Sequence, residues 1–297
     1  MIFSDKFYPS HRIGAISINK FWRNLIAHCR TNRCCFFLQT NINSVYFFNS
    51  RRTTFATFNC ICRKTYMAEL MVGKSLSAPA RDASEPGEVL LHVADLSVTP
   101  ASPFGTPLRE VALEVRAGEV LGIGGVAGNG QDELLAALSG ETTVAPGAIT
   151  LKGAPVGALG PNARRALGLL CAPEERLGHA AAPDMSLTEN AVLTARIRKG
   201  LDRSGFVDWG KARGFAEEII ARFDVRTPGP GVAARALSGG NLQKYVIGRE
   251  ILQNPTVLVV NQPTWGVDAS AAAAIRQALL DLAQGGAAVI VISQDLD

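Results

Sequence analysis

The sequence lacks any apolar run near the length of about 20 residues that a membrane-spanning helix requires. We therefore expect membrane association to go through a partner. Aromatic residues make up only 7% of the chain, and the net charge of +4 is mild, which gives no case for a nucleic-acid partner. Hydrophobic residues make up 47% of the 297 residues, ample for a packed core.

Acidic residues are almost absent from residues 1–66. This segment contains one of them, Asp5, and ten Lys or Arg, so its net charge is +9. The remainder of the chain is therefore near −5. Five of the six cysteines and nine of the thirteen phenylalanines also lie in this first segment. The two parts of the chain differ in residue usage.

Three interpretations of residues 1–66 compete. A basic, acid-poor segment is typical of an organelle-targeting peptide, although the aromatic clusters and the missing amphipathic repeat argue against one. A zinc site is weaker, because the cysteine spacings C-x4-C-C and C-x-C do not repeat the pairing that tetrahedral ligation favours. We prefer a foreign or misread extension without a packed fold, followed by a linker over residues 67–87.

Residues 88–297 have the pattern of one α/β domain. Strand-like runs and a helix alternate, and the strands at 256–263 and 287–293 bracket a helix, which predicts a βαβ unit in a parallel sheet. Residues 88–98 and 109–118 predict an antiparallel edge, and about 186–253 an inserted helical subdomain. Further predicted strands cover residues 119–126, 148–153 and 167–173, and a helix covers 131–140.

A glycine loop, GVAGNGQDELL (125–135), follows the strand at 119–126. Gly125, Gly128 and Gly130 match the glycines of the phosphate-loop pattern G-x-x-x-x-G-K-[ST], but Gln131 and Asp132 replace the lysine and the hydroxyl residue. Backbone N–H groups and the helix N-terminus still attract an anion. Losing a lysine and gaining an acid opposes this by about 4 kcal/mol per unit charge at about 4 Å and an effective dielectric near 20. We predict weak nucleotide binding at this loop.

A dinucleotide fingerprint overlaps the loop. Gly122, Gly124 and Ala127 fit G-x-G-x-x-A between a strand and a helix. The acid expected about 20 residues later is absent. An oxidoreductase that binds a nicotinamide dinucleotide stays open as the weaker alternative.

Downstream motifs decide between the two. LSGGNLQ (237–243) closely resembles the signature motif of ABC transporter ATP-binding subunits, and it follows the glycine loop after a helical stretch. TVLVVNQPTWGVD (256–268) resembles their Walker B strand and D-loop, and VIVISQD (289–295) their switch strand. The resemblance implies a P-loop NTPase-like fold of the ABC ATPase type, with a mixed sheet core.

APEERLGHAAAPDMSLTEN (172–190), LSGGNLQK and QPTWGVD look like the second ATP-binding domain of double-domain ATPases that power bacterial uptake of simple sugars and nucleosides. The resemblance covers residues 67–297. It implies a half-protein that lacks the first domain and is cut short at its C-terminus. A non-functional translated fragment is therefore a further alternative.

The resemblance also implies roles that the residues present no longer suit. Asn261 stands for the Walker B aspartate, Gln262 for the catalytic glutamate and Gln294 for the switch histidine, while Glu174 stands at the Q-loop glutamine. Neutral amides accept no proton from an attacking water. Gly266 and Asp268 fall in the D-loop, and no metal site is expected in this chain.

The signature motif is intact, and the resemblance implies that it serves a neighbour. Ser238, Gly239, Gly240 and Gln243 would complete an ATP site, with Mg²⁺, on a second ATP-binding domain. Permease subunits would hold the pair at the cytoplasmic face of the plasma membrane. Five other residues are singled out: Phe104 as a candidate adenine-stacking ring, Trp265 as a D-loop packing or interface residue, His92 and His179 as lone histidines, and Cys171 as a buried apolar side chain.

Overall fold

The computed structural model describes residues 2–3, 36–41, 44–48, 85–100 and 102–294. The chain divides into two compact units, Met1–Asp5 with Ser77–Asp297, and Lys6–Leu76. The second unit contains an antiparallel hairpin of β2 (Phe36–Asn41) and β3 (Ser44–Phe48). Apart from β1 (Ile2–Phe3) and this hairpin, the expectations for the extension and most of the linker lie outside the described residues.

A five-stranded sheet forms the centre of the first unit. Its order is β1, β6 (Val120–Gly124), β13 (Ala288–Ser293), β12 (Val257–Asn261) and β9 (Leu169–Ala172). β6, β13, β12 and β9 are parallel, and β1 pairs antiparallel with β6. Every residue of β12 and β9 is buried, as expected for parallel strands covered on both faces.

The two strands predicted to be antiparallel pair with each other as predicted, and they belong to a four-stranded sheet of their own. Its order is β5 (Leu108–Arg116), β4 (Val89–Val98), β7 (Ile149–Leu151) and β8 (Ala154–Pro155). Along β5, exposed and buried residues largely alternate, so one face of this sheet packs inward and the other meets solvent. That inward face shares a core with residues of the parallel sheet such as Ile290 and Val259.

Six helices surround these sheets in the described part of the chain. They are α1 (Gln131–Ser139), α2 (Pro161–Leu167), α3 (Leu187–Lys199), α4 (Trp209–Arg222), α5 (Gly239–Ile251) and α6 (Ala269–Gln284). A short hairpin of β10 (Asp202–Arg203) and β11 (Phe206–Val207) separates α3 from α4. Single-turn 3₁₀ helices occupy Pro146–Ala148 and Ala234–Ala236. None of the helices in the described ranges has both the length and the apolar content to cross a membrane.

Sequence explains where the helix α3 begins. Ser186 and Glu189 form a capping box, in which each side chain accepts a hydrogen bond from the other residue's backbone N–H. These bonds satisfy donors that the first turn leaves free. The helical stretch therefore starts at a defined residue immediately after the loop 173–185.

A buried ionic network joins the helices to the parallel sheet. Glu250, on α5, is completely buried and accepts hydrogen bonds from Arg165 (2.7 Å) and Arg249 (2.9 Å). Arg249 also donates to the carbonyls of Asn190, on α3, and Ala180. Burial alone would raise the pKa of Glu250, but the two guanidinium groups outweigh it and hold that pKa below its ordinary value. The carboxylate therefore stays charged at neutral pH.

We predict that Glu250→Gln lowers the free energy of unfolding by about 3 kcal/mol, because the buried guanidinium of Arg249 and the partly buried one of Arg165 lose their anion. Glu218→Gln is the matched control, since Glu218 pairs with Arg222 only at the surface, and it should change stability by less than about 0.5 kcal/mol. Urea unfolding of the full chain measures both.

The pH dependence has a defined sign. The pKa of Glu250 is lower in the folded protein than in the unfolded chain. Its contribution to the free energy of unfolding is therefore fully present above the pKa of the unfolded chain, and it is lost as pH falls through the pKa of the folded protein. The stability difference between wild type and Glu250→Gln should therefore shrink toward acid pH. A difference that grows on acidification would contradict the assignment.

Candidate functional site

The glycine loop lies between β6 and α1. Gly130 has a φ of 96° and precedes the first residue of α1, with no side chain capping the helix. A Cβ at this position would lie 2.8 Å from the end of the Leu108 side chain, but it is the left-handed backbone that favours glycine here. The loop therefore delivers uncapped N–H groups of α1 to the end of the sheet.

Gln131 folds back into this loop. Its Nε2 donates to the carbonyl of Val126 at 2.9 Å, and its Oε1 accepts the backbone N–H of Asn129, also at 2.9 Å. Nε2 also lies 3.0 Å from the position that a Cβ on Gly125 would take. The neutral amide thus closes the loop on itself and occupies one of the N–H groups that an anion would need.

Thr106, in the segment that leads into β5, makes hydrogen bonds to the glycine loop and to α1. Thr106 Oγ1 donates to the carbonyl of Gly128 at 2.7 Å, and the Thr106 N–H donates to Glu133 Oε1 at 2.8 Å. Phe104, two residues earlier, is 95% exposed, so its ring is available to a ligand or partner. Sequence reasoning missed Thr106 and Glu133, because a bond across 27 residues leaves no local pattern.

Residues at the ends of β12 and β13 reach the same region. Asn261 is 2% exposed, and its Nδ2 donates to Asp132 Oδ1 at 3.3 Å. Gln262 is buried with a left-handed φ of 49°, and its N–H donates to the Ile292 carbonyl. Gln294 follows β13 and is exposed. The structure therefore places Asn261 next to α1, where its side-chain amide donates a hydrogen bond to the carboxylate of Asp132.

A cleft of about 930 Å³ lies beside these residues. Its lining includes Asp132 from α1, Glu174 and Arg176 from the loop after β9, Gly239 from α5, and Trp265. Burial raises the pKa of Glu174, the negative charge of Asp132 raises it further, and Arg176 opposes both. Glu174, the predicted Q-loop residue, and Asp132 of α1 therefore line the same cleft, which carries excess negative charge.

The signature segment begins a helix, as predicted. Ser238 is the residue before α5, and Ser238 and Gly239 are exposed. Ser238 Oγ accepts a hydrogen bond from Asn241 Nδ2 at 2.9 Å and makes no capping bond to the helix backbone. The first N–H groups of α5 thus stay available to an external anion, as does Gly240, which is half-buried.

Gln243 requires a correction. It is 1% exposed, its Oε1 accepts a hydrogen bond from Arg176 Nε at 3.0 Å, and its Nε2 donates to the Pro263 carbonyl at 3.0 Å. Since Gln243 lies on the buried face of α5, it does not reach out to a neighbouring molecule. Its bonds are internal, and sequence spacing alone did not distinguish the two faces of this helix.

The turn after β12 holds the predicted D-loop residues. Gly266 has a φ of 61°, and Asp268 caps α6 by accepting the N–H of Ala271 at 2.9 Å. Trp265 is 53% exposed. Asp268 thus has a structural task as a helix cap, while Trp265 presents part of its ring to solvent.

The remaining singled-out residues have ordinary surroundings. His92 contacts Glu114 at 3.1 Å, and His179 contacts Glu141 at 2.9 Å. Cys171 is buried, and burial raises the pKa of its thiol to about 12, so the thiol stays neutral. Within residues 85–100 and 102–294, no group of three or more His, Cys, Asp or Glu side chains is placed to hold a metal ion.

Family comparison settles the class of protein. The family model described as ABC transporter matches residues 108–265, which is more than half of the chain. The chain belongs to the ABC transporter ATP-binding family.

Its relatives are import proteins. The chain is 38% identical over 232 residues to the nucleoside import ATP-binding protein NupA of Lactococcus lactis, a match that covers 78% of this chain and 46% of NupA. It is 39% identical to the glucose import ATP-binding protein TsgD13 of Haloferax volcanii, over 78% of this chain and 42% of that protein. The chain therefore spans somewhat under half the length of these relatives.

Solved ABC structures share the fold of this chain. A dimeric ATP-binding cassette in a post-hydrolysis state with ADP and Pi is 22% identical, with a TM-score of 0.57 over 70% of this chain and 89% of that one. A nucleotide-free cassette is 20% identical, with a TM-score of 0.54 over 71% and 83%. At this identity the likeness shows the fold alone.

The ABC topology also overturns the dinucleotide alternative. In a dinucleotide-binding fold, the strand after the first helix pairs beside the strand that leads into the glycine loop. Here the parallel neighbour of β6 is β13, and the strand that follows α1, β7, belongs to the antiparallel sheet. Gly122, Gly124 and Ala127 therefore match the fingerprint only in sequence.

We predict that Asn261→Asp lowers the free energy of unfolding of this ABC module by about 2 kcal/mol at neutral pH. The change replaces a buried donor by a second carboxylate next to Asp132, and like charges at that range oppose each other. The loss should diminish at acid pH, where one carboxyl takes up a proton.

Asn254→Asp is the matched control, because Asn254 is exposed and undergoes the same amide-to-carboxylate change. It should alter stability by less than about 0.5 kcal/mol. Equal losses in the two variants, measured by urea unfolding across pH 4 to 8 (about the range in which such a carboxyl titrates), would contradict the contact between Asn261 and Asp132.

Proposed function

We propose that this chain is an ATP-binding module of an ABC importer for simple sugars or nucleosides, and that it serves a second module. Its Ser238, Gly239 and Gly240 contact a nucleotide that the second ATP-binding module holds. Its own glycine loop is a weak or structural nucleotide site. The names of its relatives, which include nucleoside, glucose and ribose import ATP-binding proteins, support the importer class.

The observation that carries the proposal is the bonding of Gln131. The lysine of an intact phosphate loop reaches the bound phosphates, whereas this neutral amide is bonded to Val126 and Asn129 in its own loop. A helix N-terminus supplies only about half a positive charge. Asp132 and Glu133, both in the first turn of α1, oppose it. ATP bound here would meet a nearly neutral or negative site.

Catalytic groups are lacking at the same place. Mg²⁺ requires oxygen ligands, and the residue at the Walker B position, Asn261, points an N–H donor at Asp132. Gln262 is an amide and accepts no proton from water. The residues present therefore do not suit a magnesium ion at this loop, and the ion belongs with the ATP of the second module.

The signature end, by contrast, is suited to a phosphate from outside. Ser238 and Gly239 are exposed at the start of a 13-residue helix whose first N–H groups have no side-chain cap. A phosphate placed there meets the positive end of the helix dipole and a hydroxyl group. In the proposed assembly, permease subunits hold both modules at the cytoplasmic face of the membrane.

The first test measures turnover. The full chain alone should release no phosphate from ATP, and mixing it with an ATP-binding module that retains the lysine and both Walker B carboxylates should produce turnover. Ser238→Ala should then lower kcat by about tenfold or more, since a donor to the transferring phosphate is lost. Ser139→Ala, which removes a hydroxyl bonded only within α1 and to the next turn, should leave kcat unchanged.

Rapid phosphate release by the chain alone would refute the proposal, and so would an unchanged kcat in Ser238→Ala.

A second test restores the loop. The double variant Gln131→Lys with Asp132→Thr should bind ATP at least about tenfold more tightly than the wild type, because it gains two units of positive charge at the phosphates. Lys152→Gln with Asp281→Asn, a pair of exposed changes away from the loop, should leave the affinity as it is. Equal affinity in the restored and native loops, measured by calorimetry, would show that charge is not what weakens this site.

A further inference from the structure

Arg176 lies where three segments of the chain meet. It belongs to the loop after β9 that also carries Glu174. Its Nε donates to Gln243 Oε1 on α5 at 3.0 Å, and its Nη2 donates to the carbonyl of Trp265 in the turn after β12. One guanidinium group therefore bridges the signature helix and the D-loop turn.

Two glycines make room for this side chain. A Cβ on Gly239 would lie 2.6 Å from Arg176 Nη1, and a Cβ on Gly266 would lie 3.0 Å from Nη2. The guanidinium therefore packs directly over the backbone of both segments. A larger residue at Gly239 would push it away, which gives this signature glycine a second task besides approaching a phosphate.

Gln243 closes the arrangement from the other side. It is buried, it accepts from Arg176 through Oε1, and it donates through Nε2 to the carbonyl of Pro263. The start of α5 and the turn 262–268 are thus joined twice, once by Gln243 alone and once through Arg176. The acceptors of Arg176 in these two bonds are neutral oxygens, and because the guanidinium is charged, both hydrogen bonds are charge-assisted.

We propose that Arg176 is a positioning residue that sets the spacing between the signature turn and the D-loop turn and ties both to the loop of Glu174. The use of that spacing, to align Ser238 and Gly239 on the ATP of a second module, rests on the proposed function. Arginine suits the task because its planar fork serves acceptors in different directions, whereas lysine offers a single ammonium group.

The first arm of the test measures amide hydrogen exchange in the full chain. Arg176→Gln and Arg176→Lys should each raise exchange by about tenfold in both segments, residues 239–243 and 263–268, because local opening loses a shared restraint. Exchange in helix α4 should stay as it is. Arg213→Gln is the matched control, since Arg213 contacts Glu217 only at the surface, and it should change neither segment.

A general loss of stability would raise exchange in α4 as well, and the midpoint of urea unfolding records it independently. An increase in only one of the two segments, or in neither, would overturn the bridging role of Arg176.

The second arm measures turnover with the intact ATP-binding module. Arg176→Gln should lower kcat by about tenfold and leave KM for ATP unchanged, because Arg176 aligns donors and does not touch the nucleotide. If the wild-type chain produces no turnover, the proposed function fails, while the exchange arm still decides the position of Arg176. If the wild type is active and Arg176→Gln equals it, the alignment role is overturned.

Discussion

The parallel pairing of β6, β13, β12 and β9 is the constraint on which the site depends. Parallel strands end at the same edge of a sheet, and ligands of such sheets bind beyond those ends. The register pairs Gly124 with Ser293 and Asn261 with Ile292, so the glycine loop and the ends of β12 and β13 emerge together. Glu174 follows β9 at that same edge.

The neutral amides at this edge have structural partners of their own. Gln131 closes the glycine loop, and Asn261 donates to Asp132 across the boundary between α1 and β12. In an intact site, a lysine and an aspartate would face phosphate and metal. In this chain Gln131 bonds to Val126 and Asn129 within the glycine loop, and Asn261 bonds to Asp132, so both neutral amides are held by contacts inside the protein.

Local sequence patterns predicted much of this architecture, and long-range contacts account for what they missed. Apolar runs placed β12 and β13, and Ser-Gly-Gly placed the start of α5, because each depends on neighbours in the chain. The separate antiparallel sheet, the burial of Gln243 and the bridge by Arg176 depend on pairing across tens of residues. Helix periodicity predicts that α5 has a buried face. It does not predict that the polar Gln243 lies on that face, where its amide is hydrogen-bonded to Arg176 and Pro263.

The helix α5 is held in unlike ways at its two ends. Its last turn carries Glu250, fully buried between Arg165 and Arg249, and breaking that network is costly. Gln243, seven residues before Glu250 and about 10 Å away at 1.5 Å per residue, is held near the start of the helix by the partly exposed Arg176. Elements that move are drawn from the less stable contacts of a fold. The Arg176 contact near the start of α5 is more exposed to solvent than the Glu250 network at its end, so the start of the helix is where local opening is expected.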